Sequence, residues 1–154
     1  GGGGADTMPY RNHLTLLPAE VAFRPARTTP KPRIHGLMHA KVDSEASDDG
    51  IRVPVDEWGR YKVVMPFDVA GKKGGKSSCW MRLATSAGGS GWGFAQGLHV
   101  DTEVVIGHID GDPDRPVIAG SVMNFEQPAV VTRENANQSV VSSRQGIVMK
   151  FSDA

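Results

Sequence analysis

Three features of this sequence predict an all-β fold built around one small closed barrel. Glycine (19) and proline (10) make up nearly a fifth of the 154 residues, and long runs of the helix formers Ala, Leu, Glu and Lys are absent. Short segments rich in β-branched and aromatic residues recur at close intervals through the middle of the chain. The punctuation between them is turn chemistry: "DEWGR", "DGDPDRP" and the glycine-rich "SAGGSGWGFAQG".

Residues 1–33 read as a strap between domains. "FRPARTTPKPR", Phe23 to Arg33, carries three prolines in eleven residues, which forces extended geometry and forbids a helix. Strands are then expected at Ile34 to Val42, Ile51 to Val55, Arg60 to Phe67, Cys79 to Thr85, Thr102 to Ile109 and Pro116 to Met123. In "DEWGR", Asp56 to Arg60, Gly59 stands where a tight reversal needs positive φ, and "SEASDDG" before it reads as a solvated acidic loop. In "DGDPDRP", Asp110 to Pro116, Gly111 supplies a left-handed residue, Pro113 fixes a turn φ and Arg115 is held extended before Pro116, a rigid hairpin connection. The segment Ser86 to Gly97 is too long for a tight turn and is expected to fold over an open end of the sheet. Five or six short strands with a longer central connection suggest a five-stranded OB-fold barrel over residues 34–124. Beyond it, residues 125–154 hold a linker and "SVVSSRQGIVMKFSD". This is a pair of β-rich pieces about a reversal at Gly146, reading as the start of a longer β structure.

Composition narrows the function. Lys plus Arg and Asp plus Glu each total 17, so no excess of positive potential awaits a nucleic acid or an acidic membrane. The start "GGGGADTMPYRN" has no apolar run, so no signal peptide is expected, and no window reaches the roughly 20 apolar residues of a membrane span. Cys79 is the single cysteine, which excludes an internal disulfide and a multi-cysteine zinc site.

Several motifs invite a chemical reading, and each has a plainer one. "AGKKGGKS", Ala70 to Ser77, matches a relaxed phosphate-loop pattern, but that chemistry needs a helix opening at the loop's end. The continuation "SCWMRLATS" suits a strand, so Lys72, Lys73 and Lys76 read as a solvated, mobile loop between barrel strands. Asp110, Asp112 and Asp114 alternate as in a calcium loop, yet glycine comes second rather than sixth and Pro113 interrupts the curl, so a polar turn is favoured. Ser90 in "GGSGWG" approaches a nucleophile elbow, with Trp92 where the last glycine belongs. His35 and His39 are too far apart on a strand to share an ion comfortably, and His99 and His108 have no partner motif. Trp58, Trp80 and Trp92 could stack on bases, but without a basic groove core and turn packing is the expected role. No residue is assigned as catalytic, cofactor-binding or metal-ligating; no cofactor and no enzymatic activity are expected.

The runs "VDEWGRYKVVMPFD", "SSCWMRLATSAGGSGWGF" and "TEVVIGHIDGDPDRPVIAGSVMN" together resemble the OB-fold domain of the VgrG spike proteins of type VI secretion systems and their relatives in contractile-phage tails. The upstream "YRNHLTLLPAEVAFRPARTTPKPRIHG" is similar to the strap that joins that family's hub to the barrel, and "SVVSSRQGIVMKFSD" to the first turn of its β-helical needle. The chain departs from the usual pattern at "MPFDVAG" and "LHVDTEV". The resemblance implies residues 1–33 as the end of the hub and linker, 34–124 as the collar, and 125–154 as linker and needle start. It implies a homotrimer (self-association) at the tip of a contractile apparatus. Its implied partners are the inner-tube protein, a tip-capping protein, effectors and baseplate proteins. Assembly in the bacterial cytoplasm and export by the apparatus would follow, with no nucleic acid and no stable membrane anchor. A phage or extracellular injection spike is the alternative, and a single-strand nucleic-acid-binding OB domain the remote one.

Overall fold

The computed structural model describes residues 10–45, 53–71 and 74–153. The chain divides into two compact units, Gly1–Lys31 and Pro32–Ala154. In the first, the described residues 10–31 form no strand or helix and are exposed throughout, with one turn closed by Val21 N–H on the Pro18 carbonyl (3.0 Å). The prolines act here as expected from the sequence, holding the backbone open.

The second unit is a curled five-stranded sheet. Its strands are β1 (Met38–Asp43), β2 (Lys62–Val64), β3 (Arg82–Leu83), β6 (Glu103–His108) and β7 (Pro116–Ser121). Between them in the chain stand β4 (Ala87–Gly89) and β5 (Trp92–Phe94), and after them β8 (Gln138–Ser142) and β9 (Val148–Ser152), each pair forming a separate antiparallel hairpin. In space the main sheet runs β2-β1-β6-β7-β3, antiparallel except for the parallel β7–β3 pair. Its two outer strands meet: Tyr61 and Met81, each preceding an outer strand, exchange both backbone hydrogen bonds (2.9 and 2.8 Å). One bridge thus joins the sheet edge to edge, the architecture of an OB-fold barrel, and a register shift at Val105/Ile106 adds local twist to the curl.

Strand alternation builds the core. Ala40 faces Val104, Val42 faces Val63 and Ile106 faces Ile118 across the ladders, and all six are buried. Tyr61 and Met81 complete the cluster, with Val53, Met65, Leu83 and Leu98 packed at its margin. The Tyr61 hydroxyl satisfies the Leu98 N–H at 3.2 Å, so the ring is buried without stranding its polar end.

The strands are shorter than the apolar runs that announce them. The expected strand Cys79 to Thr85 shrinks to two residues. For the expected strand at Ile51 to Val55, Ile51 and Arg52 lie outside the described residues, and Val53 to Val55 form no strand. Lys72, Lys73 and most of "SEASDDG" also lie outside them. The connection Ser86 to Gly97 has a hairpin of its own. Glycines allow it: Gly89 lies against the Trp92 ring, where a Cβ would come within 2.4 Å, and at Gly93 a Cβ would come within 2.6 Å of the Ala87 carbonyl oxygen.

Candidate functional site

The glycine loop that mimics a phosphate cradle is already filled by the protein itself. Asp43, at the end of β1 and only 8% exposed, turns its carboxylate into the loop. The Gly75 N–H donates to Asp43 Oδ2 at 2.8 Å and the Gly74 N–H to Oδ1 at 3.4 Å. Both glycines have positive φ (80° and 72°), which aims successive amides at one anion. Lys62 closes the assembly, donating to the Gly75 carbonyl at 2.7 Å, pairing with Glu45 and standing 4.8 Å from the Trp80 ring centroid. No helix follows the loop, and Ser77 Oγ has no hydrogen-bond partner. A phosphate would have to displace a buried carboxylate here. The loop is therefore a strand-to-strand latch in which Gly75 is buried, while Lys76 is exposed as the sequence suggested.

Two other polar clusters form where the chain joins and leaves the barrel. At the joining end, Ile34 N–H donates to the Gly111 carbonyl (2.9 Å) and the Arg33 guanidinium to the Asp110 carbonyl (2.7 Å). The turn that receives them is stiff: Asp110 and Gly111 both have positive φ (56° and 69°), Asp112 Oδ1 accepts from Asp114 N–H at 3.0 Å, and Arg115 pairs with Asp110 at 3.3 Å. The three alternating aspartates thus build a turn, as the sequence suggested.

At the leaving end, Glu103 accepts from Asn124 Nδ2 at 2.6 Å and pairs with His39 Nδ1 at 2.7 Å. Asn124 Oδ1 in turn accepts the N–H groups of Glu126 (2.9 Å) and Gln127 (2.8 Å), while Gln127 Nε2 reaches the Asp101 carbonyl (3.2 Å). Lys41 adds an exposed pair with Glu126. The Asn124 amide, then His39, hold the Glu103 carboxyl below its usual range.

The remaining candidates stand apart. His35 is exposed, and His99 and His108 each bury an Nδ1 with no hydrogen-bond partner. Among the described residues no group of three metal-ligating side chains converges. Ser90 sits exposed at the tip of the β4–β5 hairpin. Trp58 donates to Glu57 from an exposed turn and Trp92 lies exposed on the hairpin, while the half-buried Trp80 has Lys62 over its ring, so two of the three tryptophans serve turns and edges and not the core. A cleft of about 510 Å³ beside β1 is lined by His39, Lys41, Val64, Met65, Val100 and Glu103 among others. Its polar lining takes in the Glu103 cluster together with Asp43 and Asp101. The Asp43 and Glu103 carboxylates are already engaged in the latch and the leaving cluster, and the Asp101 carbonyl accepts from Gln127.

Many apolar side chains are left in the open on the hairpins and the leaving segment, and others, such as Leu14, Leu16, Phe23, Phe67 and Val69, on the strap and the barrel loops. Phe125 is wholly exposed, and Trp92, Phe94, Val141, Ile147, Val148, Met149 and Phe151 are about half exposed or more. Every residue of β9 is exposed. This pattern suits burial by further protein more than binding of a small ligand.

Comparison with known proteins agrees. Residues 44–123 match the family profile described as the type VI secretion system/phage-baseplate injector OB domain. The chain is 37% identical over 145 residues to the type VI secretion system spike protein VgrG1c of Pseudomonas aeruginosa, covering 94% of this chain and 19% of that protein. It is 34% identical to VgrG1a of the same organism over 94% of this chain and 22% of that protein. With VgrG3 of Vibrio cholerae it shares 40% over 120 residues, 78% of this chain and 11% of that protein. The chain spans about a fifth of the length of the first two relatives.

Proposed function

Because this chain belongs to the type VI secretion system/phage-baseplate injector OB domain family, we propose that it is the collar region of a VgrG-type spike. In this reading residues 1–33 are the end of the hub and its strap, 34–124 the collar barrel, and 125–154 the linker and first turn of the needle. The observation that carries it is the contrast within the second unit. The barrel buries its own core and closes its sheet, whereas the β8–β9 hairpin that follows exposes Val148, Met149 and Phe151. A two-stranded ribbon of that kind needs added layers, which three copies in register supply.

The role is mechanical. The spike stands as a homotrimer on the inner-tube protein, within the baseplate, and carries a tip-capping protein and effectors into a target cell. In this reading no chemical step falls to this region: the Asp43 carboxylate is bound by backbone amides, and the Asp110 and Glu103 clusters hold the turns at which the chain joins and leaves the barrel. The protein reaches the outside by export through the apparatus, and no described helix is long and apolar enough to cross a membrane.

The test is an in-frame removal of residues 34–124 from the full-length protein in its native cell, reading release of the inner-tube protein into the medium. Release is expected to stop, and to return with the intact gene. Undiminished release would overturn the reading.

A further inference from the structure

The joining and leaving clusters lie at opposite ends of the same strands. β1 and β6 are antiparallel, with Met38 opposite Ile106 and Lys41 opposite Glu103. Ile34 and Arg33, just before β1, bind Gly111 and Asp110, just after β6. At the other end Glu103, the first residue of β6, binds Asn124, and its carbonyl takes the Val122 N–H at 2.9 Å. β7 delivers the chain to that point, since Ser121 pairs opposite Val104 and Pro116 opposite His108. The chain therefore joins the barrel at one end of the β1–β6–β7 ladder and leaves at the other, about 20 Å away for a six-residue strand.

We propose that this ladder is an axial strut, clamped at both ends, through which force passes between the joining and leaving segments as shear along the strands. β1 and β7 run in the same direction on either side of β6. Force between the start of β1 and the end of β7 must slide both against β6, so several ladder hydrogen bonds resist together. Force applied at one end alone would break them one pair at a time. The clamps matter because without them the load would first peel residues off the barrel. Asp110–Arg115 is a short stiff turn at one end; Glu103, Asn124 and Gln127 form a hydrogen-bonded cap at the other. The use of such a strut, to carry thrust from tube to needle, rests on the spike reading; its existence does not.

Single-molecule pulling on the whole chain tests it, with Cys79→Ser removing the native thiol. Handles on His35→Cys and Phe125→Cys load the ladder in shear, and handles on His35→Cys and Asp114→Cys load it from one end. All three positions are exposed. At one loading rate the first pair is expected to rupture at roughly twofold or more the force of the second, because several bonds share the load. In the first pair, Asn124→Ala is expected to add an early low-force lengthening of about 10 Å, three residues pulled free, before an unchanged main rupture. Equal forces for the two handle pairs would overturn the strut. No early lengthening in Asn124→Ala would overturn the leaving clamp. Pulling decides this whether or not the full-length protein proves to be a spike, which secretion decides separately.

Discussion

Asp43 shows how one buried side chain settles a question of chemistry. Its carboxylate accepts from Gly74 and Gly75, so truncation would leave two amides without their acceptor in a nearly closed site. Asp43→Ala is expected to cost about 1–3 kcal/mol in chemical unfolding, the penalty of stranding buried donors. Lys76→Ala, on the exposed side of the same loop, should stay within about 0.5 kcal/mol. Equal effects would mean the loop is not latched by Asp43. Glu103 makes a second prediction, from pH. Its carboxyl is held below the ordinary value of 4.5, chiefly by the Asn124 amide and then by His39. A folded-state pKa depressed in this way adds stability that is fully present above the unfolded value and is lost as pH falls through the lower folded one. Stability measured by denaturant from pH 6 downward should therefore fall below about 4.5, and less steeply in Glu103→Gln. Parallel curves for parent and variant would show that the Asn124 and His39 contacts are not formed in solution.

The turn between β6 and β7 carries the prediction at the scale of elements. Gly111 has a φ of 69°, and an added Cβ would lie 3.1 Å from the Ile34 carbonyl, so a branched side chain meets backbone strain and a backbone neighbour together. Gly111→Val is expected to lose about 1–3 kcal/mol, whereas Asp114→Ala, at an exposed position in the same turn, should lose much less. Small, equal losses would show that the turn does not hold the joining segment. This turn was legible in the sequence because glycine and proline there have few other uses. The five barrel strands were legible too, as short runs rich in β-branched and aromatic residues, whereas the sixth run expected, Ile51 to Val55, forms no strand over Val53 to Val55. The β4–β5 hairpin was not, since "AGGSGWGF" has no apolar alternation and its pairing depends on the Trp92 ring lying on Gly89 and on close backbone approach at Gly93. Nor were the polar clusters: Asp43 meets Gly75 and Glu103 meets Asn124 across 32 and 21 residues, contacts that exist only once the sheet has set its register. Asp56 shows the local counterpart. Burial pushes its carboxyl up, yet the Arg60 and Trp58 N–H groups and the Arg60 guanidinium outweigh that and lower it, all within "DEWGR".

For the whole molecule, the trimer proposed above needs something to hold its copies together, and the structure separates a self-sufficient part from a dependent one. The barrel closes its sheet through Tyr61 and Met81 and, among the described residues, buries eight core side chains, so it needs no neighbour to satisfy its strands. The leaving cap at Glu103 ends with Gln127, which makes residue 127 the natural end of that part. The β8–β9 hairpin differs: it pairs only with itself in the sheet, and all of β9 lies exposed. Its tie to the rest includes Gln96 Nε2 on the Ser142 carbonyl at 3.1 Å, too little to cover Ile147, Met149 and Phe151. If the equivalent hairpins of three copies provide the missing layer, association must grow with the length of chain beyond Gln127. Fragments ending at Gln127, at Ala154 and several needle turns later in the full-length protein should therefore sediment as monomer, weak trimer and stable trimer in that order. A tight trimer already formed by the fragment ending at Gln127 would place the interface on the barrel and the exposed β4–β5 hairpin, with Trp92 and Phe94 as its anchors, and remove the needle from the cause of assembly.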